Sequence, residues 1–372
     1  MDMSKQNIFE YEIDWINYFD SILKNEIRQE IENPNKIKAT IIESNQTLEE
    51  FLKKNPLIKH TPSKEEFFHN LKIKYRNNSY HFYLNNRDKR FWVIHNIEKK
   101  VEIQNIIYKL TSESYLQDKI YLPHKTLEKY QETFKAHSFG FTINFEQLFT
   151  SSSKKNVFLD ELSDFDDIAF TLQLWPKRKR SIKFFLEKFR NINCPINFKS
   201  LNFVFEDENN EVLVKEDLFY DGKITIHRGK NFREHLKFVK NIREDYRKKL
   251  EKIEFNRIDM NNFKGSFFIF RLNKKINPKN FVYILNQKTI DNISNPFKIN
   301  AFFMYKENDF YVYDCVDLHT GGDFYMQVAP SEIIMNLNEN TCGNTVLRFL
   351  TNLQRYFSIS VELEINDEKW EI

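Results

Sequence analysis

The sequence predicts an α+β protein in which predominantly antiparallel sheets carry helices packed on one face, with the chain divided into two or three lobes. Three observations lead there. Strand-like runs follow one another as a meander between Leu71 and His95 and again through the last 110 residues. Asp221-Gly222 stands between two β-rich runs, a pairing that favours the tight turn of an antiparallel hairpin because both central residues need positive φ. Helical periodicity is confined to a few separate stretches, and 372 residues with 41% hydrophobic and 29% charged content match a folded chain of two or three domains.

In chain order, residues 1–62 form an N-terminal section read as irregular apart from a strand near Lys38–Ile42 and a short helix over Thr47–Lys54, stopped by Asn55-Pro56. Residues 63–150 form an α+β lobe. It holds strands at Leu71–Lys74, Tyr80–Tyr83 and Phe91–His95, helices from Lys100 to about Thr111 and from Lys125 to Phe134, and a strand at Phe139–Phe145. Ser151-Ser152-Ser153-Lys154-Lys155 is polar, small and aperiodic, and marks a boundary. Residues 156–260 form a second α+β lobe with basic helices. Its strands lie at Ile168–Leu174, Leu201–Phe205, Val212–Tyr220 and Lys223–Ile226, and its helices at Ser181–Phe189 and Asn231–Glu254, the latter with Phe232, Leu236, Val239, Tyr246, Leu250 and Ile253 on one face. Residues 261–372 form a β-rich lobe with strands at Ser266–Leu272, Ile299–Tyr305, Phe310–Leu318, Asp323–Val328 and Ile333–Leu337. A C-terminal helix over Asn344–Phe357 and a final strand complete it.

Composition then excludes whole classes of function. Seven glycines, at 140, 222, 229, 265, 321, 322 and 343, have neither GxxxxGK[ST] nor GxGxxG spacing, so no ordinary phosphate-cradling loop can form. GxSxG and HExxH are also absent. Cys194, Cys315 and Cys342 are odd in number and form no CxxC pair, which speaks against a disulfide framework or a cysteine zinc site and for a reducing cytoplasm. The first residues lack a basic-then-apolar leader, and no run approaches the ~20 apolar residues of a membrane span. No cofactor is expected. The 37 phenylalanines and 17 tyrosines read chiefly as core.

The charge is segregated. Lys177, Arg178, Lys179, Arg180, Lys183, Lys188 and Arg190 face only Glu187 across residues 177–190, a local net of +6. Residues 230–252, including Arg233, Lys237, Lys240 and Arg247, add +5, so that an overall +3 leaves −8 outside these two segments. Such clustering suits phosphate-backbone binding through counterion release, and the competing reading is a solvated helix face.

Two carboxylate constellations offer chemistry. Asp221 and Lys223, with Asp207 upstream and Glu206, Glu216 and Asp217 on the neighbouring strands, combine the acids and the lysine that a metal-dependent nuclease requires. On Asp207, Asp221 and Lys223 the chain resembles the PD-(D/E)xK nucleases, a likeness that implies divalent-metal cleavage of nucleic acid. It departs from them in placing Asp221-Gly222 at a hairpin tip, where a turn accounts for both residues. Asp317, His319 and Asp323, around Thr320-Gly321-Gly322, could supply oxygen and imidazole to Zn, Mn or Fe, and a polar hairpin end accounts for them equally. The expectation is a non-catalytic subunit binding nucleic acid, protein or both, of the kind a prokaryotic antiviral defence complex employs, with a protein partner or a second copy of itself. The alternatives are the nuclease and a protein-interaction scaffold without nucleic acid.

Overall fold

The computed structural model describes residues 8–28, 36–97, 100–112, 114–134, 136–143, 170–174, 184–185, 187–188, 196–259, 264–273, 275–287, 289–290, 293–356, 361–366 and 368–370. In chain order these form α1 (Glu12–Arg28), β1 (Lys38–Ser44), α2 (Leu48–Lys54), β2 (Ile58–Pro62), β3 (Phe68–Tyr75), β4 (Asn78–Asn85), β5 (Phe91–Asn96), α3 (Lys100–Thr111), β6 (Gln117–Lys119) and α4 (His124–Thr133). There follow β7 (Ser138–Ile143), β8 (Phe170–Leu174), β9 (Ile196–Glu206), β10 (Val212–Phe219), β11 (Lys223–Gly229), α5 (Phe232–Phe255), β12 (Phe268–Leu272), α6 (Pro278–Leu285), β13 (Thr289–Ile290) and β14 (Ile293–Ser294). The chain closes with β15 (Ile299–Glu307), β16 (Phe310–Asp317), β17 (Asp323–Val328), β18 (Glu332–Leu337), α7 (Asn344–Tyr356), β19 (Val361–Ile365) and β20 (Glu368–Trp370). Seven helices among the described residues and two mostly antiparallel sheets make the α+β fold that the sequence predicts. No helix among the described residues is long and apolar enough to cross a membrane.

The chain divides into two compact units, each assembled from two separated stretches: Met1–Ile120 with Asn202–Asp245, and Tyr121–Leu201 with Tyr246–Ile372. In the first unit the strand order is β2-β3-β4-β5-β1-β11-β10, followed by the second half of β9, with β6 paired to β1. Helices cover both faces of this sheet. On one side, α2 and α3 bring Phe51, Ile103, Ile106 and Leu110 against Ile42, Trp92, Ile94 and Leu84. On the other, Trp15, Phe19 and Leu23 of α1 and Phe232 at the start of α5 meet Phe68, Tyr83 and Ile226. The α1 helix occupies a stretch read as irregular from the sequence. Its Trp15, Ile16, Phe19 and Leu23 recur at helical spacing, and all four are buried.

In the second unit, β7 pairs with β8, and the first half of β9 lies on the other side of β7. The main sheet runs β15-β16-β17-β18-β12-β19-β20. Its core forms where Phe349 of α7 meets Phe270 of β12, Phe281 of α6 and Phe297, with ring centroids 5.0 to 6.1 Å apart. The α6 helix is unforeseen in the sequence reading. Asn277 caps it by accepting from the Asn280 amide at 3.2 Å, and Pro278 fills the first turn, where the missing N–H costs nothing.

Candidate functional site

The residues singled out from the sequence do not form one cluster. Asp207 precedes β10 and organises its own turn, accepting from the amides of Asn209 (3.0 Å) and Glu211 (2.9 Å) and from Lys230 Nζ (2.9 Å). Asp221 follows β10 and accepts from Lys119 Nζ at 3.1 Å. The two acids therefore sit at opposite ends of this eight-residue strand, roughly 25 Å apart at the usual rise of a strand. Lys223 Nζ lies 3.5 Å from the centre of the Phe219 ring. Asp221-Gly222 lies at a turn closed by the Gly222 amide on the Phe219 carbonyl (3.1 Å), but of the two residues only Gly222 takes positive φ (+71°), and the tip is packed rather than exposed. The Gly222 carbonyl accepts from the Ile41 amide at 3.1 Å, and a Cβ on Gly222 would run into the Ile120 side chain.

Asp317 is committed to structure. Its carboxylate is fully buried against the guanidinium of Arg348, also fully buried, and accepts from the His319 and Thr320 amides, each at 3.3 Å. Arg348 Nε donates in addition to the Phe297 carbonyl at 2.8 Å. Asp323 is exposed and accepts from the Asn338 side chain. His319 is buried.

Lys177, Arg178, Lys179, Arg180 and Lys183 lie outside the described residues. On α5, Arg233, Lys237 and Lys240 are exposed and Arg247 is half-buried. Lys237 pairs with Glu234 at 2.7 Å and Lys240 with Glu244 at 3.7 Å, the i,i+3 and i,i+4 partnerships of a solvated helix face.

What the sequence reading missed is a groove in the second unit. Phe302 (59%), Phe303 (60%), Met304 (49%) and Tyr305 (49%) are four successive exposed residues on β15, the edge strand of the seven-stranded sheet. Large apolar side chains in such a row are unusual on a surface that binds nothing. Phe303 leads into a groove of about 620 Å³ whose walls are Tyr283 and Lys279 of α6, Lys306 of β15, and Tyr311 and Tyr313 of β16. Phe303 pairs across the strands with Tyr313 and meets it edge to face at 5.8 Å. Lys279 and Lys306 Nζ lie 5.7 and 5.2 Å from the Tyr311 ring, close enough for each cation to hold that ring. Burial, with Tyr311 and Cys315 nearby, pushes the Tyr313 phenol up to about 12, so it stays a hydrogen-bond donor at any physiological pH. Asn286 closes the first part of the strand edge, its amide donating to the Ala301 carbonyl (2.7 Å) and accepting from the Ala301 N–H (2.6 Å) as a neighbouring strand would.

Also missed are two histidine chains in the first unit, which start from adjacent residues of β10. Glu216 turns to the α1 and α5 face, where His235 Nδ1–H donates to it at 2.5 Å and His235 Nε2 meets His95 Nε2 at 3.1 Å, all three residues being buried. Burial, then His235 and Arg243, hold His95 well below the usual imidazole range. Asp217 turns to the opposite face and meets His227 Nε2 at 2.7 Å, while Lys36 Nζ lies 3.1 Å from His227 Nδ1. An ammonium can only donate and a carboxylate can only accept, so His227 carries its proton on Nε2.

Residues 4–372 match the family described as MJECL33-like protein. An uncharacterised protein, MJECL33, of Methanocaldococcus jannaschii is 28% identical over an alignment 369 positions long that covers 89% of this chain and 86% of the relative.

Proposed function

We propose a non-catalytic binding role for this chain, which belongs to the MJECL33-like protein family: the groove between α6 and β15 takes a segment of single-stranded nucleic acid. The exposed aromatic row beside two lysines is the observation that supports this reading. Bases stack on aromatic faces regardless of sequence, each stack contributing ~1–3 kcal/mol, while lysines meet the phosphates between them. Tyr283 and Phe303 offer the stacking faces, and Lys279 and Lys306 the charge. The basic run Lys177–Arg180 with Lys183, and Arg233, Lys237, Lys240 and Arg247, are proposed as phosphate-binding residues in their own right, apart from the groove.

Fluorescence anisotropy with labelled oligothymidylate and oligouridylate of about 12 nucleotides, inside the usual site-size range, tests it. Saturable binding at low salt is expected. Tyr283→Ala and Phe303→Ala should each weaken it by ~5- to 150-fold, the range that one lost stack implies. Lys279→Gln and Lys306→Gln should each reduce the slope of log affinity against log salt by ~0.7. Absence of binding at low salt, or the same affinity in all four variants, overturns the proposal.

A second reading is favoured by the position of β15. Its edge, capped among the described residues by Asn286 at Ala301, suits an added strand from a protein partner. In that case an extended peptide protects the β15 amides from exchange and oligonucleotides do not.

A further inference from the structure

We propose that the first unit carries a second binding site, for a small phosphate-bearing molecule, on the sheet face above β1 between Asn96 and His227. The register builds it. Asn96 of β5 pairs with Lys38 of β1, Lys38 with Thr225 of β11, and Thr225 with Asp217 of β10. Directly opposed residues of antiparallel strands point to the same face, so these four side chains form one polar row. Lys36 and His227 continue it, their side chains in contact at 3.1 Å. Farther along the same face the sheet is apolar, with Ile94, Trp92 and Ile42 packed under α3. The polar half is thus a local departure from a hydrophobic layer.

Two features of this half point to a ligand. Asn96 is fully buried, and neither its amide nitrogen nor its oxygen has a hydrogen-bond partner. Leaving a buried donor and acceptor unsatisfied costs ~1–3 kcal/mol each, so such an amide calls for a partner. Asn202 repeats the pattern: it is buried, its Nδ2 donates to Asp217 Oδ1 at 2.8 Å, and its Oδ1 has no partner.

The charge then selects the class of ligand. Lys36 and Lys38 stand on this face, and Arg228, Asp217 and Lys36 all act electrostatically on Lys215, whose ammonium burial lowers below the ordinary lysine range. Asp217, the carboxylate of this row, is already engaged by His227 and Asn202. A phosphate group accepts from ammonium and amide donors alike, and would satisfy the Asn96 amide nitrogen while meeting the cations. Asp217 fixes the His227 ring, so that the imidazole presents a defined edge beside Lys36.

Isothermal titration of the full chain with inorganic phosphate, with chloride adjusted to constant ionic strength, tests the site. Saturable binding is expected. Asn96→Leu should weaken it by at least ~10-fold. It should leave the melting temperature unchanged or higher, since the variant removes a buried amide that no protein group satisfies. Lys36→Met, at a half-buried position, should weaken it similarly and keeps the test decisive if Asn96→Leu folds poorly. Ribose 5-phosphate as a second titrant separates the sources: tighter binding than phosphate identifies a phosphorylated metabolite, and equal binding identifies the ion itself. Tyr283→Ala and Phe303→Ala should not alter either titration, so failure of this site and failure of the nucleic-acid groove are distinguishable. Phosphate heats no larger than those of chloride, or undiminished binding in both Asn96→Leu and Lys36→Met, overturn the proposal.

Discussion

Individual side chains carry the sharpest expectations. Asp221→Asn removes one partly buried ion pair with Lys119 and should cost less than ~1 kcal/mol, because such pairs contribute little. Gly222→Val forces a branched residue to φ +71° and into Ile120, and should cost more than ~2 kcal/mol, both read from denaturant midpoints. A melt in which the two variants behave alike would contradict the packed turn. His95 supplies a pH dependence. It stays neutral when folded, whereas the unfolded chain protonates it near pH ~6.5, so the unfolded state binds more protons below that pH. Its contribution is therefore complete above pH ~6.5 and declines as the pH falls, by up to ~1.4 kcal/mol per unit, and His95→Gln should flatten that decline in melting temperature. Cys315 and Cys342 are buried, and burial together with Asp314 pushes the Cys315 thiol far above its ordinary range. Ellman's reagent at pH 8 should reach Cys315 only after denaturation.

Among the elements, those with strong local signals were legible. The capping box of α2, in which Thr47 and Glu50 bond each other's backbone, stands in the sequence as Thr-x-x-Glu, and Thr47→Ala should cost ~1 kcal/mol by chemical denaturation. The hairpin at Asp221-Gly222 and the long α5 were equally readable. Asn277-Pro278 caps and opens α6, and Phe281, Val282, Ile284 and Leu285 behind it carry a helical signal that the sequence reading did not use. The groove left no local mark. Its aromatic residues come from α6, β15 and β16 and acquire meaning only once those elements meet, whereas in the chain they resemble core residues of ordinary strands. The polar row of the first unit was hidden for the same reason, since Asn96, Lys38, Thr225 and Asp217 become neighbours through strand register alone.

For the chain as a whole, the two units interleave in sequence, and discontinuity of that kind cannot be seen in local pattern or composition. The segregation of charge was visible, but on α5 the structure answers part of it with intrahelical acid partners, which leaves the aromatic groove as the stronger support for binding. The location of a bound strand tests that claim most directly. Oligonucleotides bearing 4-thiouridine, cross-linked under long-wavelength light to the full chain and mapped by mass spectrometry, should attach to peptides containing Tyr283, Phe303 and Tyr311. Tyr283→Ala together with Phe303→Ala should remove those adducts. No cross-link at all, or adducts confined to residues 177–190 and 230–252 and unchanged in the double variant, would contradict it.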